Sequence, residues 1–162
     1  MISIEEYKQN PCEALSIPYW KATDIIIPDN VKIIHNKNFD ETLLEKYSDK
    51  QYFRLIRRLN YVPDFSNNDF TYKMLSKEKT NEIADMINAS YSHTDVFVSA
   101  DYIKGLTEAK VYFPELWIGA FDNSRLVGSI ICDLDTKIGE GIIEWLQILP
   151  EYRGKGIASV LV

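Results

Sequence analysis

The 162-residue chain is 46% hydrophobic and 26% charged, with 24 acidic against 18 basic residues and a formal net charge of -6. That composition excludes a disordered chain and leaves room for one core with a small appendage. It also excludes a sequence-independent grip on nucleic acid or on an anionic membrane, so any bound anion must be held by local geometry. No run approaches the roughly 20 apolar residues that cross a bilayer, and the first residues have no basic-then-apolar leader pattern. Cys12 and Cys132 stand far apart in no metal or redox spacing, as expected of reduced thiols in a cytoplasmic protein.

In chain order, the first section runs from Met1 to about Pro63 and reads as a small α/β unit of unassigned role. Ser3 and Glu6 suit a capping box for a short helix. Pro18, Tyr19 and Trp20 read as a turn with buried aromatics, and residues 31–35 (VKIIH) as a strand. Ser48 and Gln51 can cap a helix whose Tyr52, Leu55, Ile56 and Leu59 share one face. Tyr52 and Phe53, with the Pro18–Trp20 turn, are expected to pack in a core. Residues 64–69 (DFSNND) form the expected connection, which divides the chain into 1–63, 64–69 and 70–162.

After the connection the pattern becomes more regular. Residues 70–76 alternate like a strand, and 80–91 place Ile83, Met86, Ile87 and Tyr91 on one helical face. A loop follows around His93–Val98, and Ser99 caps a second helix that ends before Pro114. Strands are expected at 116–122, 125–135 and 142–149, joined by short polar turns in an antiparallel meander. The class is therefore α+β. His35 and His93 have no cysteine or carboxylate at ligand spacing, so no metal site is expected.

The last strand runs into Arg153-Gly154-Lys155-Gly156-Ile157-Ala158-Ser159. Glycines at a strand-to-helix turn let backbone approach a ligand, and the first amides of the helix lack partners within it. Those amides and the helix dipole favour a phosphate group, with Arg153 and Lys155 adding charge. A P-loop is excluded because its lysine would follow the second glycine and precede Ser or Thr. A dinucleotide fingerprint is excluded because the third glycine is missing and the preceding strands form a meander.

Arg153-x-x-Gly156-x-Ala158, preceded by the strand 146–149, Pro150 and Tyr152, resembles motif A of the GNAT superfamily of N-acetyltransferases. The order of elements from about Phe70 to Val162 resembles the first half of that fold, the acyl-CoA N-acyltransferase-like fold. The resemblance implies that Arg153, Gly154, Lys155, Gly156, Ile157, Ala158 and Ser159 hold the pyrophosphate of acetyl-CoA. It also implies that the backbone of Leu146, Gln147 and Ile148 pairs with the pantetheine arm as a neighbouring strand would. Acetyl transfer to an amine needs a base, and Glu144, on the face shared by Leu146 and Ile148 at period two, is the candidate. The resemblance also sets Tyr91 and Ser92 where acceptor pockets of the family open, with packing at the helix end as the other reading of the pair. The acceptor is an amine of unknown identity.

By the same resemblance another turn or two of the last helix, a parallel strand beside strand 142–149, a helix, two further strands and a tyrosine general acid on a later helix belong beyond Val162. A truncated transferase of little activity is therefore expected, with the edge of strand 142–149 covered by a second copy or by the N-terminal section. A non-catalytic CoA-binding or protein-interaction module remains the alternative.

Overall fold

The computed structural model describes residues 2–61, 64–66 and 69–162. Pro63, and Asn67 and Asn68 within the expected connection, lie outside the described residues. The chain divides into two compact units, Met1–Val62 and Pro63–Val162.

In the first unit, α1 (Ile4–Gln9) opens with the capping box: Ser3 Oγ accepts from the Glu6 N–H at 3.2 Å and Glu6 Oε2 accepts from the Ser3 N–H at 2.9 Å. Pro11 starts α2 (Pro11–Ala14), and Pro18 caps α3 (Tyr19–Asp24) instead of forming a turn. Tyr7 is buried and its ring centroid lies 5.2 Å from that of Tyr19. Arg54 ties the unit together, donating through Nη1 to the carbonyls of Pro11 and Leu15 at 2.9 and 3.0 Å and through Nη2 to Tyr7 Oη.

Two expectations fail here. Residues 31–35 form no strand, and 48–59 form no helix. Tyr52, Phe53 and Leu55 are 84%, 94% and 90% exposed, so the helical period has no surface to bury and Tyr52 and Phe53 join no core. Helical period without tertiary burial leaves a short helix marginal. The Arg54 carbonyl, which a helix would give to the N–H four residues on, instead accepts from Cys12 Sγ at 3.8 Å.

The second unit is a four-stranded antiparallel sheet in the order β1 (Thr71–Met74), β2 (Tyr112–Asp122), β3 (Arg125–Asp135), β4 (Glu140–Ile148). The meander is as expected, and β2 begins earlier than its apolar run. Pro114 falls where the β2–β3 register shifts, a place where a missing N–H breaks no ladder. Between β1 and β2 lie α4 (Thr80–Ser90) and α5 (Ala100–Thr107). Ile83, Met86 and Ile87 of α4 are buried, and Ser99 Oγ caps α5 by accepting from the Tyr102 N–H at 3.1 Å. Asn88 pins the loop between the two helices through paired 2.8 Å bonds to the backbone of Val98.

Side chains alternate across a strand. Ser129 reaches Met86 Sδ of α4, while a Cβ on Gly128 would meet Ile157 Cγ2 at 3.1 Å, at the start of α6 (Ile157–Leu161). The helices α4 and α6 thus flank opposite faces of β3. Among the described residues no helix is long and apolar enough to cross a membrane, and no group of three His, Cys, Asp or Glu could hold a metal ion.

Candidate active site at the end of β4

In an antiparallel pair, residues that exchange both backbone hydrogen bonds alternate with residues whose N–H and C=O point away from the neighbour. The Leu149 N–H donates to the Val127 carbonyl at 3.0 Å, and the register runs Gly128↔Ile148, Ser129↔Gln147, Ile130↔Leu146. The backbone of Gln147 therefore faces β3. Leu146 and Ile148 turn theirs to the other side, where β4 has no neighbouring strand among the described residues. Of the three residues expected to pair with a ligand, only these two offer backbone groups to it. The Gln147 side chain is 3% exposed and donates through Nε2 to Ser129 Oγ, a buried link between the strands.

The outward carbonyls already accept from side chains. Tyr91 Oη, just past α4, donates to the Leu146 carbonyl at 3.1 Å. Arg153 Nε donates to the Ile148 carbonyl at 3.3 Å, and its Nη2 donates to the Ser90 carbonyl at 2.7 Å. Trp145 packs edge-on with Tyr91 and Tyr102, at centroid distances of 6.1 and 6.4 Å.

Glu144 occupies a bulge. Trp145 pairs with Ile131 and Ile143 pairs with Cys132, so Glu144 is an extra residue on β4 and the period-two argument does not run through it. A bulge re-aims a side chain, and such kinks are over-represented beside active sites. Glu144 Oε1 is out of contact with solvent. Burial pushes the nearby Cys132 thiol up to about 11, with the charges of Asp133 and Glu144 adding to the shift.

Beyond β4, Pro150–Tyr152 form one 3-10 turn. Gly154 and Gly156 both take φ of 78°, a left-handed conformation that disfavours a side chain. A Cβ at Gly154 would meet nothing within 4 Å, so backbone conformation and not crowding calls for glycine there. Gly156 caps α6 and brings no side chain to its first amides. Ile157 is 1% exposed, fixing the helix start through its side chain; Ala158 is half-buried and Ser159 exposed.

Lys155 Nζ lies 4.6 Å from the centroid of Tyr152, whose Oη donates to Asp122 Oδ2 at 2.8 Å. Arg125 approaches the same ring at 5.5 Å and pairs with Glu151 at 2.7 Å. Tyr152 thus anchors the turn to the β2–β3 hairpin. Sequence reasoning missed the roles of Arg125, Asp122 and Tyr152 because pairing across 30 residues leaves no local pattern.

The sequence model of the acetyltransferase (GNAT) family matches residues 80–162. N-alpha-acetyltransferase 30 of Schizosaccharomyces pombe is 44% identical over 52 residues, which cover 30% of this chain and 35% of that protein. The chain therefore spans about a third of the length of this curated relative. Among solved structures, a GCN5-related N-acetyltransferase from Sphaerobacter thermophilus superposes with a TM-score of 0.50 at 18% identity, covering 62% of this chain and 31% of the other. A PaiA N-acetyltransferase from Thermoplasma acidophilum in complex with coenzyme A superposes with a TM-score of 0.46 at 19% identity, covering 57% of this chain and 66% of the other.

Proposed function

The chain belongs to the acetyltransferase (GNAT) family, and from that premise we propose that it binds acetyl-CoA at the glycine turn and transfers the acetyl group to an amine. The observation that carries this reading is the conformation of the turn: two glycines at φ 78° lead into a helix whose first amides have no side-chain cap. That arrangement fits a pyrophosphate, which needs several N–H donors converging at close range and no Cβ between them.

Acetyl-CoA would supply an activated acyl thioester; the chain would supply position and a base. The amides from Gly154 to Ser159 hold the pyrophosphate end. The outward N–H groups of Leu146 and Ile148, about 7 Å apart along the strand, receive carbonyls of an extended arm. Glu144, set out of alternation by its bulge, takes the proton that the attacking amine must lose, directly or through one water.

The test is a titration of the 162-residue chain with acetyl-CoA, followed by thermal unfolding and then by release of coenzyme A with a panel of amines. Saturation at a hundredfold excess over Kd raises the unfolding free energy by about 2.7 kcal/mol. No stabilisation at any attainable concentration overturns the reading. Stabilisation without turnover on any amine supports the CoA-binding module instead.

A further inference from the structure

An uncapped strand edge alternates donors and acceptors, so a strand or an extended ligand can pair with it in either direction and in several registers. The outward edge of β4 is different. Its two acceptors at this end, the carbonyls of Leu146 and Ile148, are held by Tyr91 Oη and Arg153 Nε at 3.1 and 3.3 Å. Arg153 also holds the carbonyl of Ser90, the last residue of α4, where the partial negative end of the helix favours a cation. The planar guanidinium spans carbonyls on two elements with separate N–H groups, which a single ammonium does not reproduce.

We propose that Tyr91 and Arg153 are positioning residues of the cofactor site. They bolt the end of α4 to β4 and to the glycine turn, and they set a side-chain donor against each outward carbonyl, so the edge meets a ligand first through its N–H donors. An extended ligand is then accepted in the register that sets its carbonyls on Leu146 and Ile148. The role rests on the reading of the turn and edge as the acetyl-CoA site. It assigns Arg153 to geometry and not to the counter-charge of a phosphate. The same capping puts side chains in the way of a second copy at the Leu146 and Ile148 carbonyls, and so works against self-association through this end of β4.

The test uses the whole chain and three variants, Tyr91→Phe, Arg153→Lys and Arg153→Gln. Tyr91→Phe keeps the ring that packs on Trp145 and removes only the hydroxyl. Carbonyl carbon resonances read the bolt without any ligand: Tyr91→Phe moves that of Leu146, and either Arg153 variant moves that of Ile148. Calorimetric titration with acetyl-CoA then gives a threefold to tenfold weaker Kd, about the value of one hydrogen bond, for each variant.

Arg153→Lys weakens binding as much as Arg153→Gln, since both break the bridge. Unmoved carbonyl resonances overturn the bolt. Retained affinity in Arg153→Lys with loss in Arg153→Gln overturns it too, because charge would then be what matters. If the wild-type chain binds and Tyr91→Phe binds equally well, this role alone falls. If the wild-type chain binds no acetyl-CoA, the proposed function falls and takes this role with it.

Discussion

Two glycines at opposite ends of β4 make a controlled experiment. Gly154, in the turn after the strand, has φ of 78°, and Gly139, just before it, has φ of 70°; a Cβ at either meets nothing within 4 Å. Alanine at each therefore meets the same obstacle, a left-handed backbone that costs an L-residue roughly 1–2 kcal/mol, with no clash added. For a chain of this length that lowers Tm by about 2–8 °C in both variants. Binding separates them. If the Gly154→Ala substitution draws the free turn out of its left-handed conformation, acetyl-CoA must restore it, and affinity falls by about fivefold to thirtyfold. Gly139→Ala acts about 30 Å away along a nine-residue strand and leaves affinity unchanged. The assay pairs thermal unfolding with calorimetric titration. A Gly154→Ala protein that loses stability yet binds as the wild type does would remove the turn from the site. Equal losses of affinity in both variants would mean that binding only reports global stability.

Glu144→Gln keeps the shape of the bulge and removes the proposed base, so kcat falls by about a hundredfold to ten-thousandfold while the Kd for acetyl-CoA stays put; an unchanged rate assigns the proton to another group. Ile157→Ala empties a fully buried position between α6 and Gly128 and costs about 2–5 kcal/mol in urea unfolding, whereas a loss below about 1 kcal/mol would show that α6 is not packed on the sheet. The Cys132 thiol, raised from 9.0 to about 11 mainly by burial, alkylates at pH 8 about a hundredfold more slowly in the folded chain than in denaturant. Because its folded pKa lies above the ordinary value, the stability it lends is complete below pH 9 and is lost as pH rises through about 11. A Cys132→Ala protein should lack that alkaline decline, and an identical decline in both would place its cause elsewhere.

What was legible in the sequence is what a few adjacent residues decide. Ser3 and Ser99 cap helices because a hydroxyl reaches an amide three residues on, and Ile83, Met86 and Ile87 bury one face of α4 because the sheet is there to receive it. The same period at Tyr52, Leu55 and Leu59 produced no helix, since no described residue of the first unit covers that face and Arg54 is committed to α1 and α2. The bulge at Glu144 was illegible for another reason. Period two assumes an unbroken ladder, and whether residue 144 or 145 pairs with Ile131 is settled by how β3 and β4 close together.

The glycine turn joins both cases. Gly154 and Gly156 could be read as the residues that free the backbone of the turn because that freedom is local, and in the structure both use it by taking φ of 78°. Arg153 and Lys155 were expected to bring charge to a phosphate, yet one spans the carbonyls of Ile148 and Ser90 and the other lies over Tyr152. Long basic side chains go where carbonyls and ring faces are offered, and those belong to α4, β4 and the preceding 3-10 turn. On the proposed reading, recognition of an anion then falls to backbone amides, whose direction the glycines set, and a substitution that keeps the charge at 153 but not the fork should disturb the site as much as one that removes both.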